Sequence, residues 1–199
     1  MKKFNLIIGG IGGQGQILLS QILANSCILE NYDVKTSETH GLSQRRGSVE
    51  VHLRFGKNIY SPLVKEGDAD LIISLEKQEA LRLAYYGAKN KTIFLINDFV
   101  IPIIGGKNFD DKYIKESLKK FSKNIIFVPA TKICEEKLKN QILSGVFLIS
   151  YASYKKLIPI KIENIKKSIK ELVKPEFVEL NLKAVELAKP ADKRGYNTD

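Results

Sequence analysis

Phe4-Asn5-Leu6-Ile7-Ile8-Gly9-Gly10-Ile11-Gly12-Gly13-Gln14-Gly15 is an apolar run that ends in a cluster of glycines, and Ile17, Leu18, Ile22, Cys27 and Ile28 follow it at helical spacing. This reads as strand, glycine turn, helix. Gly10, Gly12 and Gly15 satisfy G-x-G-x-x-G in the strand-to-helix context that the motif needs. The first glycine is expected to allow the tight turn, the second to let the backbone approach a phosphate, and the third to permit close packing of helix on strand. The amino end of the helix then offers free N–H groups and a partial positive charge to an anion. A site for a phosphate-bearing ligand is the functional reading, and a glycine turn used only for packing is its alternative.

Working outward, residues 32–37 offer a second short strand, and residues 38–47 read as an exposed polar loop. Val49, Val51, Leu53 and Phe55 alternate with Ser48, Glu50, His52 and Arg54, the period of a half-buried strand. Residues 59–64 are expected to return as its hairpin partner, with Pro62 at an edge or end. Strand and helix then alternate: strands at 71–75, 92–96 and 125–128, helices at 77–86 and 111–121, a long helical stretch at 131–154 interrupted at Gly145, and shorter helices near 162–173 and 181–187. Crossovers of this length imply an α/β, Rossmann-like, mainly parallel sheet with helices on both faces and an antiparallel hairpin extension. The ligand crevice of such a sheet lies beyond the carboxyl ends of its strands, where the glycine turn and the 38–47 loop belong.

The 199 residues are 44% hydrophobic and 27% charged, which fits one globular domain, expected over residues 1–189 with a polar tail at 190–199. No run reaches the roughly 18–20 apolar residues of a membrane span, and Met1-Lys2-Lys3 leads straight into a strand rather than a signal segment, so a cytoplasmic location is expected. Cys27 and Cys134 belong to no metal-ligand pattern, so no metal site is expected in the chain. The net charge of +10 is concentrated in lysines of residues 101–174, on the outer faces of helices and without interleaved aromatics; a solvated surface, not a nucleic-acid site, is the reading. Arginine is used sparingly, yet Arg45, Arg46 and Arg54 fall close together, where a planar bidentate cation suits phosphate or carboxylate.

The glycine turn, together with Glu38-Thr39-His40-Gly41-Leu42-Ser43-Gln44-Arg45-Arg46-Gly47-Ser48 and His52-Leu53-Arg54-Phe55-Gly56, resembles the beta subunit of indolepyruvate:ferredoxin oxidoreductases, the stand-alone form of the gamma domain of 2-oxoacid:ferredoxin oxidoreductases. The similarity runs through Ser61-Pro62-Leu63-Val64, Glu66-Gly67-Asp68-Ala69-Asp70, Glu79-Ala80-Leu81-Arg82 and Asn97-Asp98 to Asn181-Leu182-Lys183-Ala184. One departure stands in the loop, where Arg46 replaces a glycine common in the family.

The resemblance implies a hetero-oligomer. A larger alpha subunit carries thiamine diphosphate and iron–sulfur clusters, decarboxylates an aryl-2-oxoacid such as indolepyruvate, passes electrons to ferredoxin and leaves the acyl group on coenzyme A. This chain would shape the active site and contribute coenzyme A contacts through Gly10, Gly12, Gly13, Gln14, Gly15, Gln44, Arg45, Arg46 and Ser48, and by itself would be inert. His40 is the candidate for proton transfer, since its ordinary pKa lies near neutrality, with a structural hydrogen bond as its alternative. His52 and Asn140 read as structural. Two further readings stay open: the gamma subunit of an enzyme acting on pyruvate, 2-oxoisovalerate or 2-oxoglutarate, and an independent dinucleotide-binding protein with Glu38 as the ribose-binding acid.

Overall fold

The structure, a computed structural model, describes residues 3–41, 47–102, 106 and 108–190. Its sheet runs β2-β3-β1-β4-β5-β6, with β1 at Phe4–Ile11, β2 at Asp33–His40, β3 at Ser48–Gly56, β4 at Leu71–Ser74, β5 at Ile93–Asn97 and β6 at Asn124–Val128. β1, β4, β5 and β6 pair in parallel, and β3 lies antiparallel between β1 and β2.

Alternation along the strands divides the core. Leu6, Ile8, Leu71, Ile73 and Leu95 join one cluster with α1 (Gln16–Leu29), α4 (Ala130–Leu138), α5 (Ser144–Tyr154), α6 (Ile162–Leu172) and α7 (Pro175–Leu187). Their neighbours Ile7, Ile72, Phe94 and Ile96 face the other side, against α2 (Glu79–Leu83) and α3 (Asp111–Leu118). Helices therefore cover both faces, as a mainly parallel sheet requires. Among the described residues no helix is long and apolar enough to cross a membrane.

The hairpin is not the expected one. β3 pairs with β2, from Asp33 opposite Gly56 to His40 opposite Val49, while residues 59–64 form no strand. Arg54 explains the difference: its Nη1 donates to the carbonyls of Ser61 at 2.7 Å and Leu63 at 3.2 Å, so carbonyls a ladder would use are turned to a side chain. Pro62, with no N–H, has no ladder bond to donate.

The long helical stretch is also divided elsewhere than at Gly145. Lys139 takes a left-handed conformation (φ 55°) that closes α4. Asn140 then accepts from the Ile142 N–H and starts a 3₁₀ turn, Gln141–Leu143, ahead of α5. Gly145 lies within α5, where an added Cβ would stand 2.5 Å from Leu19 of α1; it permits helix contact and does not interrupt the helix. The last helix begins at Pro175, six residues before its expected start, with proline in its first turn. The expected tail lies outside the described residues beyond Pro190.

Candidate functional site

The glycine turn is held mainly by glutamine side chains. Gln14 Oε1 accepts the Ile11 N–H at 2.8 Å, and Gln14 Nε2 donates to the Leu75 carbonyl at 3.2 Å, just past the end of β4. Gln16 Nε2 donates to the Ile11 carbonyl at 2.9 Å. Both side chains fold over Gly10, where a Cβ would meet Gln14 Oε1 at 2.5 Å and Gln16 Nε2 at 2.9 Å. Close approach is thus the requirement at the first glycine of the motif. The third, Gly15, has open space around it and is needed for its φ of +80° as the cap of α1; Gly13, at φ +99°, is similar. These roles differ from those expected, because the turn is packed by glutamine side chains and not by the helix backbone.

The turn meets Gly47, the residue before β3: Gly12 N–H donates to the Gly47 carbonyl at 2.8 Å, and Gly41 N–H donates to the Ser48 carbonyl at 3.0 Å. The amides of Ile11, Gly12 and Gln14 are thereby consumed, whereas those of Gly13 and Gly15 have no partner among the described residues. The first turn of α1 has no side-chain cap. Free donors and the positive end of a helix therefore meet at one place.

That place opens on a crevice of about 440 Å³ lined by Ile11, Gly12, Gly13 and Gln14, by Phe99 and Ile101 after β5, by Thr131 of α4, by Gln141 and Ile142 of the 3₁₀ turn, and by Ser144, the first residue of α5. It lies beyond the carboxyl ends of the strands, as an open parallel sheet dictates. The Phe99–Ile101 wall is fixed from the segment after β4. Glu76 Oε1 accepts the Ile101 N–H at 3.2 Å and its Oε2 the Glu79 N–H at 2.8 Å. Lys77 N–H donates to the Phe99 carbonyl at 2.8 Å, and Lys77 Nζ pairs with Asp98 and with Asp111, the latter at 2.8 Å. Burial pushes the Glu76 carboxyl above the usual range despite these backbone donors. A second hollow, of about 550 Å³, separates α4 from α7. It is floored by Leu138, Leu182 and Leu187 and holds none of the turn's donors.

Other expected residues take definite places. Ser48 Oγ donates to Glu79 Oε1 at 2.9 Å. His40 stands exposed at the end of β2, 3.9 Å from Glu38. Gln44, Arg45 and Arg46 lie outside the described residues. His52 is buried: its Nδ1 accepts the Val64 N–H at 3.0 Å, so Nε2 carries the proton and donates to Glu50 at 2.8 Å. Tyr86 donates to the same Glu50 oxygen at 2.5 Å. Glu38 sits on β2, with β3 between it and β1. It is two strand spacings, roughly 10 Å, from the glycine strand instead of the single spacing that a ribose-binding acid needs. The dinucleotide reading loses its acid.

Phe99, Ile101, Thr131, Gln141 and Ile142 were not anticipated from the sequence. They reach the crevice through separate crossovers, and the one local signal among them was Asn140, a helix-start residue directly before Gln141.

The family model for pyruvate ferredoxin/flavodoxin oxidoreductase matches residues 5–191. The indolepyruvate oxidoreductase subunit IorB of Archaeoglobus fulgidus is 37% identical over 98% of this chain and 94% of its own, and that of Pyrococcus horikoshii is 33% identical over 99% and 100%. Among solved structures, the pyruvate oxidoreductase subunit PORC of Thermotoga maritima superposes with a TM-score of 0.69 at 18% identity, covering 95% of this chain and 96% of its own. The 2-oxoglutarate:ferredoxin oxidoreductase of Magnetococcus marinus, solved with 2-oxoglutarate, coenzyme A and succinyl-CoA bound, gives 0.73 at 16% identity over 95% of this chain and 31% of its own. With its fold shared by those structures and its sequence matched almost end to end, the chain belongs to the pyruvate ferredoxin/flavodoxin oxidoreductase family.

Proposed function

We propose that this chain is the beta subunit of an indolepyruvate:ferredoxin oxidoreductase, paired in a hetero-oligomer with a larger alpha subunit. The complex converts an aryl-pyruvate and coenzyme A to aryl-acetyl-CoA and carbon dioxide, with two electrons passing to ferredoxin. Thiamine diphosphate and iron–sulfur clusters supply the decarboxylation and electron transfer from the alpha subunit. Among the described residues no group of three or more His, Cys, Asp or Glu could hold a metal ion. Both cysteines are buried, and burial pushes the Cys134 thiol up to about 12, far from the thiolate a cluster needs.

The observation that carries the reading is the crevice, lined by Gly13, whose amide has no partner among the described residues, together with the apolar Phe99, Ile101 and Ile142 and the polar Thr131, Gln141 and Ser144. A long ligand that joins phosphates to a slender arm carrying amides suits such a space, and coenzyme A, with its pyrophosphate between adenosine and pantetheine, has that form. Gly10, Gly12, Gly13 and Gly15 shape its backbone cradle, and Gln14 and Ser48 hold the cradle in place through their bonds to Leu75 and Glu79. Gln44, Arg45 and Arg46 are proposed to meet phosphate from the hairpin loop, because guanidinium pairs bidentately with it. Aryl substrates are favoured because the relatives at 33–37% identity carry the indolepyruvate name, whereas the common gamma subunit of pyruvate and ketoisovalerate oxidoreductases from Pyrococcus furiosus is 26% identical over 88% of this chain and 89% of its own.

The reading is tested by co-expression with the alpha subunit and comparison of kcat/KM for indolepyruvate, phenylpyruvate, pyruvate and 2-oxoglutarate. Preference for the aryl substrates, with no turnover by the isolated chain, is expected. A preference for pyruvate or 2-oxoglutarate would move the chain to the other branch of the family.

A further inference from the structure

Asn97, the last residue of β5, is fully buried, and its partners set the orientation of its amide. A carbonyl only accepts and a backbone N–H only donates, so Nδ2 faces the Leu75 carbonyl at 3.0 Å and Oδ1 faces the Thr131 N–H at 3.2 Å. Nδ2 also lies 2.7 Å from Thr131 Oγ1. An amide NH₂ cannot accept, so Oγ1 is the acceptor and its own proton is unspent. No acceptor for that proton occurs among the described residues. Yet Thr131 is only 7% exposed, and it lines the same crevice as Gly12 and Gly13. A buried hydroxyl donor is costly to leave unmatched, and the open side of this one is the crevice.

We infer that Thr131 binds the crevice ligand directly, donating its hydroxyl proton to an acceptor oxygen of coenzyme A, and that Asn97 is a positioning residue that presents Thr131 in this role. The inference rests on the reading of the crevice as a coenzyme A site. Two parts of the molecule carry suitable acceptors, the pyrophosphate oxygens and the pantetheine amide carbonyls, and both would use the same donor.

The test is calorimetric titration of the assembled alpha–beta complex with coenzyme A and, separately, with pantetheine. Thr131→Val replaces the hydroxyl by a methyl of similar size. It is expected to weaken coenzyme A binding about tenfold, the worth of one good hydrogen bond. Thr131→Ser restores the affinity, and KM for indolepyruvate stays unchanged. If pantetheine is weakened alike, the partner is an amide carbonyl; if only coenzyme A is weakened, it is a phosphate oxygen. Equal coenzyme A affinity in wild type and Thr131→Val overturns the inference, as does a variant that weakens the 2-oxoacid to the same extent, the mark of general distortion. Thr131→Ala serves with the same expectation if the valine variant does not assemble. Failure of the wild-type complex to bind coenzyme A overturns the crevice reading itself and this inference with it, and is seen before any substitution is made.

Discussion

Gln14 donates to the carbonyl of Leu75 at 3.2 Å, and in the same region Leu75 N–H donates to the Gly9 carbonyl at 2.8 Å. β1, the glycine turn and the end of β4 are thereby locked into one unit, with Gln14 as the side-chain tie. Gln14→Ala removes the bonds to Ile11 and Leu75 together and should cost about 1–3 kcal/mol of stability, measured by urea unfolding. Gln14→Glu keeps an acceptor for Ile11 but sets a carboxylate against the Leu75 carbonyl, so it should be at least as damaging. A chain unaffected by either change would mean that the backbone alone holds the turn.

The glycines of the turn should separate by mechanism. Gly10→Ala drives a methyl into Gln14, Gln16 and Leu75, an overpacking cost of about 1–3 kcal/mol. Gly13→Ala meets nothing within 4 Å and pays only for left-handed backbone, about 1–2 kcal/mol. The refined structure of Gly10→Ala should show Gln14 displaced, whereas that of Gly13→Ala should keep Gln14 in place; an undisplaced Gln14 in Gly10→Ala would contradict the close approach.

Glu50 links acid sensitivity to β3. Burial alone would raise its pKa, but hydrogen bonds from His52 and Tyr86 and the positive charge of Arg82 hold it below the usual carboxylate range. Because the folded value is lowered, this contribution is fully present above the unfolded carboxylate pKa of about 4.3. It is lost as pH falls through the lowered folded value. Tyr86→Phe removes one of the donors, so it should cost about 1–2 kcal/mol near neutrality and move the acid unfolding midpoint to higher pH. Glu50→Gln should flatten the acid limb, and an unchanged acid limb in that variant would remove Glu50 from the account.

Glu76 should govern the far wall of the crevice. Glu76→Gln replaces one of two acceptor oxygens by an NH₂ that cannot receive an N–H. Hydrogen exchange is expected to quicken at the amide of Ile101 or Glu79, whichever loses its acceptor, by at least about fivefold, roughly 1 kcal/mol of lost protection. Unchanged exchange at both amides would show that Lys77 and its aspartates suffice to hold the loop.

The parts of the fold written as local periodicity were legible. The apolar run into the glycine turn gave β1 and α1, and the alternation of Val49, Val51, Leu53 and Phe55 gave β3. β2 extends beyond residues 32–37 and its pairing is not legible, because residues 38–40 are exposed and carry no apolar alternation. Its pairing is specified by register with β3, which no local pattern expresses. The break at Lys139 was hidden because lysine carries no turn signature, although Asn140 beside it does. In the site, the glycine turn was visible as a motif, and its structural role for Gln14 was not, since the partner Leu75 is 61 residues away. The opposite walls of the crevice come from the loop after β5, from α4 and from the turn into α5, so their residues meet only through the topology of the sheet.

The claim that the crevice receives coenzyme A is tested most directly by Gly13→Leu in the assembled complex. No atom lies within 4 Å of the place an added Cβ would take at Gly13, and Gly13 lines the crevice, so a leucine there is expected to compete for the crevice space. KM for coenzyme A is expected to rise at least about tenfold, with KM for indolepyruvate and recovery of the complex unchanged. An unchanged KM for coenzyme A in a fully assembled Gly13→Leu complex would contradict that claim and leave the turn a purely structural element.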